Sequence, residues 1–221
     1  MDILISRSSR RTFLGALALG ASGLAARGAF ADELERTPHL TEGPFYPRKL
    51  PLDTDNDLIK ISNQITPAVG EITHLGGRIL DAKGDPIKNA LVEIWQVDAN
   101  GVYLEQKNRG ETSGDSHFQG YGRFLTSSSG EYYFRTIKPV LYPGRQAPHI
   151  HYGITLKGRE MWTTQCFIKG YKGNARDGVF RELRGKRAQE LVSLDFNPVK
   201  DSKIGELAAK FDIVMGATPE A

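Results

Sequence analysis

His149-Ile150-His151 sets two imidazoles two residues apart. On a β-strand, residues i and i+2 point to the same side with Cα atoms about 7 Å apart. Two neutral imidazole nitrogens so placed can converge on one ion, and they suit Zn, Cu, Fe or Ni. Ile150 would turn to the opposite, apolar side. Tyr142 lies seven residues before His149, within the proline-stiffened stretch Lys138–Pro148, and Tyr103 follows the Asn100-Gly101 turn. Phenolate is a hard, anionic, electron-rich donor, so two tyrosines beside two histidines favour ferric iron over softer or less charged ions. Ordinary uses compete with this. An H-x-H on a strand is as often solvent-facing or hydrogen-bonded, and any of the eight tyrosines can be an amphipathic residue at the rim of a core. Spacing alone leaves both readings open.

Such donors need elements to hold them. Glu71–Leu80 reads as a strand, closed by the Asp81–Pro86 turn; Ala90–Val97 is the strongest strand and stops at Asp98-Ala99-Asn100-Gly101. Gly122–Thr126 and Glu131–Ile137 flank Ser127–Gly130 as one hairpin, and His149–Leu156 and Met161–Lys169 flank Lys157-Gly158-Arg159 as another. A helix is expected around Val179–Leu191 and a closing strand at Phe211–Met215. Many short strands with almost no helical period predict an all-β fold, an antiparallel two-sheet β-sandwich of prealbumin-like type with long loops and little helix. Two connections, Leu104–Gly120 and Lys138–Pro148, are longer than a sandwich requires, and long loops of this kind are commonly functional.

The domain plan has three parts: residues 1–31 as a leader, 32–70 as an extended lead-in, and 71–221 as the sandwich. Arg10-Arg11 directly precedes the apolar run Phe13–Ala26, which ends near the small-x-small sequence Ala29-Phe30-Ala31. This pattern predicts a signal peptide of the twin-arginine type and a periplasmic mature protein. The run is too short to span a bilayer, which takes about 20 residues. The chain has 221 residues and a formal charge of +3. The leader carries that excess, through Arg7, Arg10, Arg11 and Arg27 against Asp2; the rest has equal numbers of basic and acidic residues. No nucleic-acid partner is expected, since no basic run remains to neutralise phosphates, and no membrane partner once the leader is removed. The lone Cys166 cannot form an intrachain disulfide and reads as a buried thiol. Asp115 and His117 are expected to face solvent, His39 and His74 to be structural or solvated, and Asp53, Asp55 and Asp57 to form a solvated turn.

Several blocks in order resemble a known family: Glu42-Gly43-Pro44-Phe45-Tyr46, Val92-Glu93-Ile94-Trp95-Gln96, Asn100-Gly101-Val102-Tyr103, Phe134–Pro139, Tyr142-Pro143, Pro148-His149-Ile150-His151, Thr164-Gln165 and Phe211–Val214. They look like the intradiol ring-cleavage dioxygenases, above all the protocatechuate 3,4-dioxygenase type, from about Thr41 to Met215. The resemblance implies a non-haem Fe(III) held by Tyr103, Tyr142, His149 and His151 with a hydroxide as fifth ligand, Tyr142 and His151 being axial. It implies a small aromatic diol, a catechol, that binds as a dianion, its protons going to the hydroxide and to the departing Tyr142. O2 then opens the ring between the two hydroxyl-bearing carbons to give a muconate-type diacid. It implies further catalytic parts for Gln165, beside the substrate, and for Arg145, which would stabilise negative charge on the ring. The family sets that arginine three residues before the first histidine, where this chain has Gln146; Arg145 stands one residue earlier. An oligomer in which a second chain completes the pocket is common in this type.

Two rival readings belong to other classes. An exported sandwich module without catalysis accounts for the strand pattern but needs neither tyrosine. A copper or zinc H-x-H protein would want further histidines, and His39, His74 and His117 are scattered.

Overall fold

Residues 33–61 and 65–216 are described by the structure, a computed structural model. The strands are β1 (Ile72–Leu80), β2 (Leu91–Trp95), β3 (Tyr121–Leu125), β4 (Glu131–Ile137), β5 (His149–Thr155), β6 (Trp162–Ile168), β7 (Ser193–Leu194), β8 (Asn197–Pro198), β9 (Leu207–Lys210) and β10 (Ile213–Val214). Among the described residues helix is confined to short pieces: α1 (Leu104–Asn108), α2 (Gly178–Glu182) and α3 (Lys186–Leu191), with a 3-10 turn at Asn174–Arg176. The expected single helix over Val179–Leu191 is thus two. Gly185, at φ 87°, stands between them as the N-cap of α3, a left-handed backbone that interrupts a right-handed helix.

Two five-stranded sheets form the sandwich. In one, β1 pairs with β4 on one edge and with β9 and β10 on the other, and β8 follows β9; the second runs β3-β2-β5-β6-β7. Pairs between neighbouring long strands are antiparallel, as expected. At the edges β1 runs parallel to β9 and β10, and β6 runs parallel to β7, so the sheets are mixed rather than purely antiparallel. Chain that returns from far along the sequence is free to dock in either direction.

Alternation along the strands sorts the side chains into two apolar regions. Leu75 and Ile79 of β1, Tyr132 and Phe134 of β4, and Val92, Ile94, Ile150, Tyr152, Ile154 and Cys166 of the second sheet fill the space between the sheets. Cys166 is fully buried there, and burial pushes its thiol up to about 12, which leaves it protonated and inert. The outer face of the second sheet carries a smaller cluster of Trp95, Val97, Tyr103 and Tyr121, packed by Phe45, Tyr46, Leu104, Val140 and Tyr142.

The lead-in is an integral part of the packing. Leu40, Leu58, Ile59 and Ala68 lie in the main core, and Leu58 N–H donates to Arg135 O. Asp57 pairs with Arg135 at 3.1 Å, so the aspartate-rich stretch is tethered rather than a free solvated turn. Asp115 is likewise not solvent-facing: it is buried and accepts hydrogen bonds from the Val69 and His117 amides. His74 is buried between Tyr133 and Glu206, and His39 lies against Trp162.

Candidate active site

Strand β5 carries Ile150, Tyr152 and Ile154 into the main core, so period-two alternation sends His149 and His151 out of the opposite face. Their neighbours on that face come from the strand register, with Trp95 and Gln165 flanking His151 on either side and Phe167 opposite His149. Trp95 stacks on the His151 ring at 5.0 Å and 10°.

Tyr103 arrives from a turn held by one buried carboxylate. Asp98 Oδ1 accepts from the amides of Asn100 and Val102, and Gln106, in the first turn of α1, accepts from the Tyr103 amide. Locked at both ends, the phenol puts its oxygen 3.3 Å from His149 Nε2 and 3.1 Å from His151 Nε2. The Tyr142 ring sits edge-on to that of Tyr103 at 5.0 Å and lies tilted against that of His149 at 5.6 Å. Arg145 Nη1 lies 3.0 Å from His149 Nε2, and its Nη2 donates to Gln165 Oε1 at 3.1 Å. All six residues singled out in the sequence share one neighbourhood, and the offset arginine reaches it.

Protonation follows from these partners. A carbonyl only accepts, so His149 Nδ1, 2.8 Å from Ala147 O, carries the proton and Nε2 presents its lone pair. Burial, and then the Arg145 cation, push His149 down to about 3; burial also holds His151 well below its ordinary value. Both imidazoles are neutral, the form that binds metals. Burial pushes the Tyr103 phenol well above 10, so it keeps its proton unless a strong local cation draws it off. Neutral imidazole lone pairs and phenols converging in a buried spot fit a highly charged ion whose charge two phenolates would offset. Among the described residues no group of three or more His, Cys, Asp or Glu side chains could hold a metal ion.

Several contributors had no role at the site assigned from the sequence. Thr41–Tyr46 covers the site: Gln165 Nε2 donates to Thr41 O, Gly43 lies against His151, and Phe45 stacks on Tyr103 at 4.7 Å and 15°. Tyr46 donates to Glu93, which also accepts from Tyr121, and burial together with Glu93 raises the Tyr46 phenol to about 12. Asp177 is fully buried and ion-paired to Arg145 at 2.8 Å. The Glu42–Tyr46 block carried the family resemblance but gave no sign of a covering role, and Asp177 lies in an unremarkable loop with no signal at all.

Comparison with known proteins bears on this arrangement. The family profile described as "Dioxygenase" matches residues 41–216. The protocatechuate 3,4-dioxygenase beta chain of Burkholderia cepacia is 33% identical over 75% of this chain and 74% of its own length. Catechol 1,2-dioxygenase of Acinetobacter baylyi is 30% identical over 76% of this chain and 58% of its own, and hydroxyquinol 1,2-dioxygenase of Nocardioides simplex 30% over 51% and 42%. This chain therefore spans only about half the length of the latter two. In fold it is similar to an intradiol ring-cleavage dioxygenase from Tetranychus urticae (TM-score 0.64, 22% identity, 83% of this chain and 95% of that one). It is also similar to catechol 1,2-dioxygenase from Acinetobacter sp. ADP1 (TM-score 0.62, 24%, 93% and 67%). With a profile that runs from the covering segment through both histidines to the last strand, the chain belongs to the intradiol ring-cleavage dioxygenases.

Proposed function

We propose that the protein is a non-haem Fe(III) enzyme that opens a catechol-type ring between its two hydroxyl-bearing carbons with O2, yielding a muconate-type diacid. The observation that carries this reading is the convergence of the Tyr103 oxygen with both Nε2 atoms at 3.1 and 3.3 Å, with Tyr142 beside them. Tyr103, Tyr142, His149 and His151 would hold the ion, and bound there it would supply Lewis-acid activation of a chelated diol toward O2.

The protein's own residues supply the rest. His149 keeps its lone pair aimed through the Nδ1–H···O bond to Ala147. His151 is oriented by the Trp95 stack. Tyr142, half-buried on its loop, is the donor with room to part from the centre; held as a phenolate when the ion is bound, its Oη would take up a proton from the incoming diol and become the phenol. The Arg145 guanidinium faces the place where negative charge gathers, a preorganised arrangement suited to an anionic ring. Gln165 steadies it from the neighbouring strand, and Phe45 and Trp95 wall out water. A non-catalytic sandwich gives no reason to gather two phenols against two buried imidazoles.

Purified protein should contain one iron per chain, absorb in the visible through tyrosinate-to-iron charge transfer, and shift that band on anaerobic addition of catechol. Oxygen uptake with catechol, protocatechuate and hydroxyquinol would define the ring substituent. A colourless protein with stoichiometric zinc would defeat the proposal. The Burkholderia cepacia relatives are named as alpha and beta chains, and on that ground we read this protein as an oligomer, to be checked by light scattering. Its place is the periplasm, on the strength of the Arg10-Arg11 leader, which lies outside the described residues.

A further inference from the structure

Four positions separate Arg145 from His149, yet the guanidinium lies against His149 Nε2 and Gln165 Oε1. Its other edge is taken by Asp177: Nε donates to Oδ2 and Nη2 to Oδ1, each at 2.8 Å. The same carboxylate accepts from the amides of Gln146 at 3.0 Å and Ala147 at 3.2 Å, which belong to the stretch between arginine and histidine. It also caps α2 by accepting from Phe180 N at 3.1 Å. Neither partner is loose, the side chains being 12% (Arg145) and 0% (Asp177) exposed. The segment bearing Asp177 is seated tightly on the arginine loop, since a Cβ on Gly173 would lie 1.9 Å from Gln146 O; only glycine permits that approach.

We infer that Asp177 is a positioning residue that aims Arg145 at the reacting centre and fixes the path of the chain between Arg145 and His149. The inference rests on the function proposed above. A two-bond fork fixes the plane of a guanidinium as well as its position, and binding the Gln146 and Ala147 amides to the same carboxylate ties the loop path to the side-chain path. Arg145 then presents its remaining N–H groups to His149 and Gln165 without a search over rotamers.

The test compares Arg145→Ala, Asp177→Asn and the double variant, all iron-loaded and all checked for folding. Asp177→Asn keeps one acceptor oxygen, which in the place of Oδ2 still receives the Gln146 and Ala147 amides, but its NH2 can receive neither Phe180 N–H nor the second Arg145 N–H. The expected result is a kcat about 100-fold lower with KM changed far less, and a double variant no slower than Arg145→Ala. Independently of metal and turnover, the metal-free protein should show an exchange-protected, downfield arginine Nε–H resonance that disappears in both single variants. Undiminished turnover in Asp177→Asn, losses that multiply in the double variant, or a resonance indifferent to Asp177→Asn would each overturn the inference. Should Asp177→Asn fail to fold, Gly173→Ala, which pushes the Asp177 segment off the loop, must abolish the same resonance for the inference to stand. A wild-type chain that holds no iron and opens no diol refutes the proposed function instead, and the resonance experiment still reads Asp177.

Discussion

Tyr103 and Tyr142 carry one functional group in two surroundings, and that difference assigns them different parts. Tyr103 is 1% exposed and fixed by a turn and a helix, whereas Tyr142 sits half-buried on a loop. Tyr103→Phe should therefore lose most iron, read as metal per chain. Tyr142→Phe should fold, retain more iron, and turn over at least about 100-fold more slowly, as expected for loss of a proton-accepting group; equal activity in both would contradict the assignment. A second residue-scale prediction concerns acid. Burial alone would raise the Asp177 carboxyl, but Arg145 and the amides of Phe180 and Gln146 outweigh it and hold it at about 2, against an ordinary 3.8. The unfolded chain thus takes up this proton first as pH falls. The stabilisation, about 2 kcal/mol, is complete above about pH 4 and lost by about pH 2. Chemical denaturation at pH 5 and pH 2.5 should show that loss in wild type and less of it in Asp177→Asn.

At the scale of elements, strands β1 to β6 were readable because each satisfies its own pattern: alternating or continuous apolar runs bounded by Gly, Pro, Asp or Ser. Their edges shifted by a residue or two, as for Ile72–Leu80 against Glu71–Leu80, since flanking residues complete the ladder only when a partner strand reaches them. The directions of β7, β9 and β10 were not readable, because their pairing depends on chain far away in sequence. Nor was the covering role of Thr41–Tyr46, whose sequence shows only a bend. That segment makes a sharp prediction. Gly43 has φ 74°, and a Cβ there would meet His151 Cε1 at 3.3 Å. Gly43→Ala should cost about 1–2 kcal/mol from the left-handed backbone alone and lower iron content by pressing on the imidazole. Thermal unfolding and metal analysis check it; a fully iron-loaded variant of unchanged stability would show that the segment does not bear on the site.

The whole molecule separates folding from chemistry. The core between the sheets is built from Ile, Leu, Val and aromatic residues, while the polar donors are set on the outer face and sealed by the lead-in and two long connections. Each strand of the second sheet serves both, through alternate residues. The proposed export would act on the chain as a unit: Arg10→Lys with Arg11→Lys should leave full-length precursor in the cytoplasm, measured by cell fractionation, while wild type should yield a shorter periplasmic form. Normal export of the doubly substituted chain would remove the twin-arginine reading and leave the site untouched.

The succession of strands β1 to β6 along the chain, the outward pairing of His149 with His151, and the supply of two tyrosines and an arginine at loops were all written in local pattern, because alternation and turn chemistry act over a few residues. Tertiary structure alone brought Tyr103 to the histidines across 46 and 48 residues, turned two sheet edges parallel, and buried Asp115 and Asp177. It also resolved the offset of Arg145: a side chain's aim depends on what grips its far edge, and here that grip is a carboxylate 32 residues away.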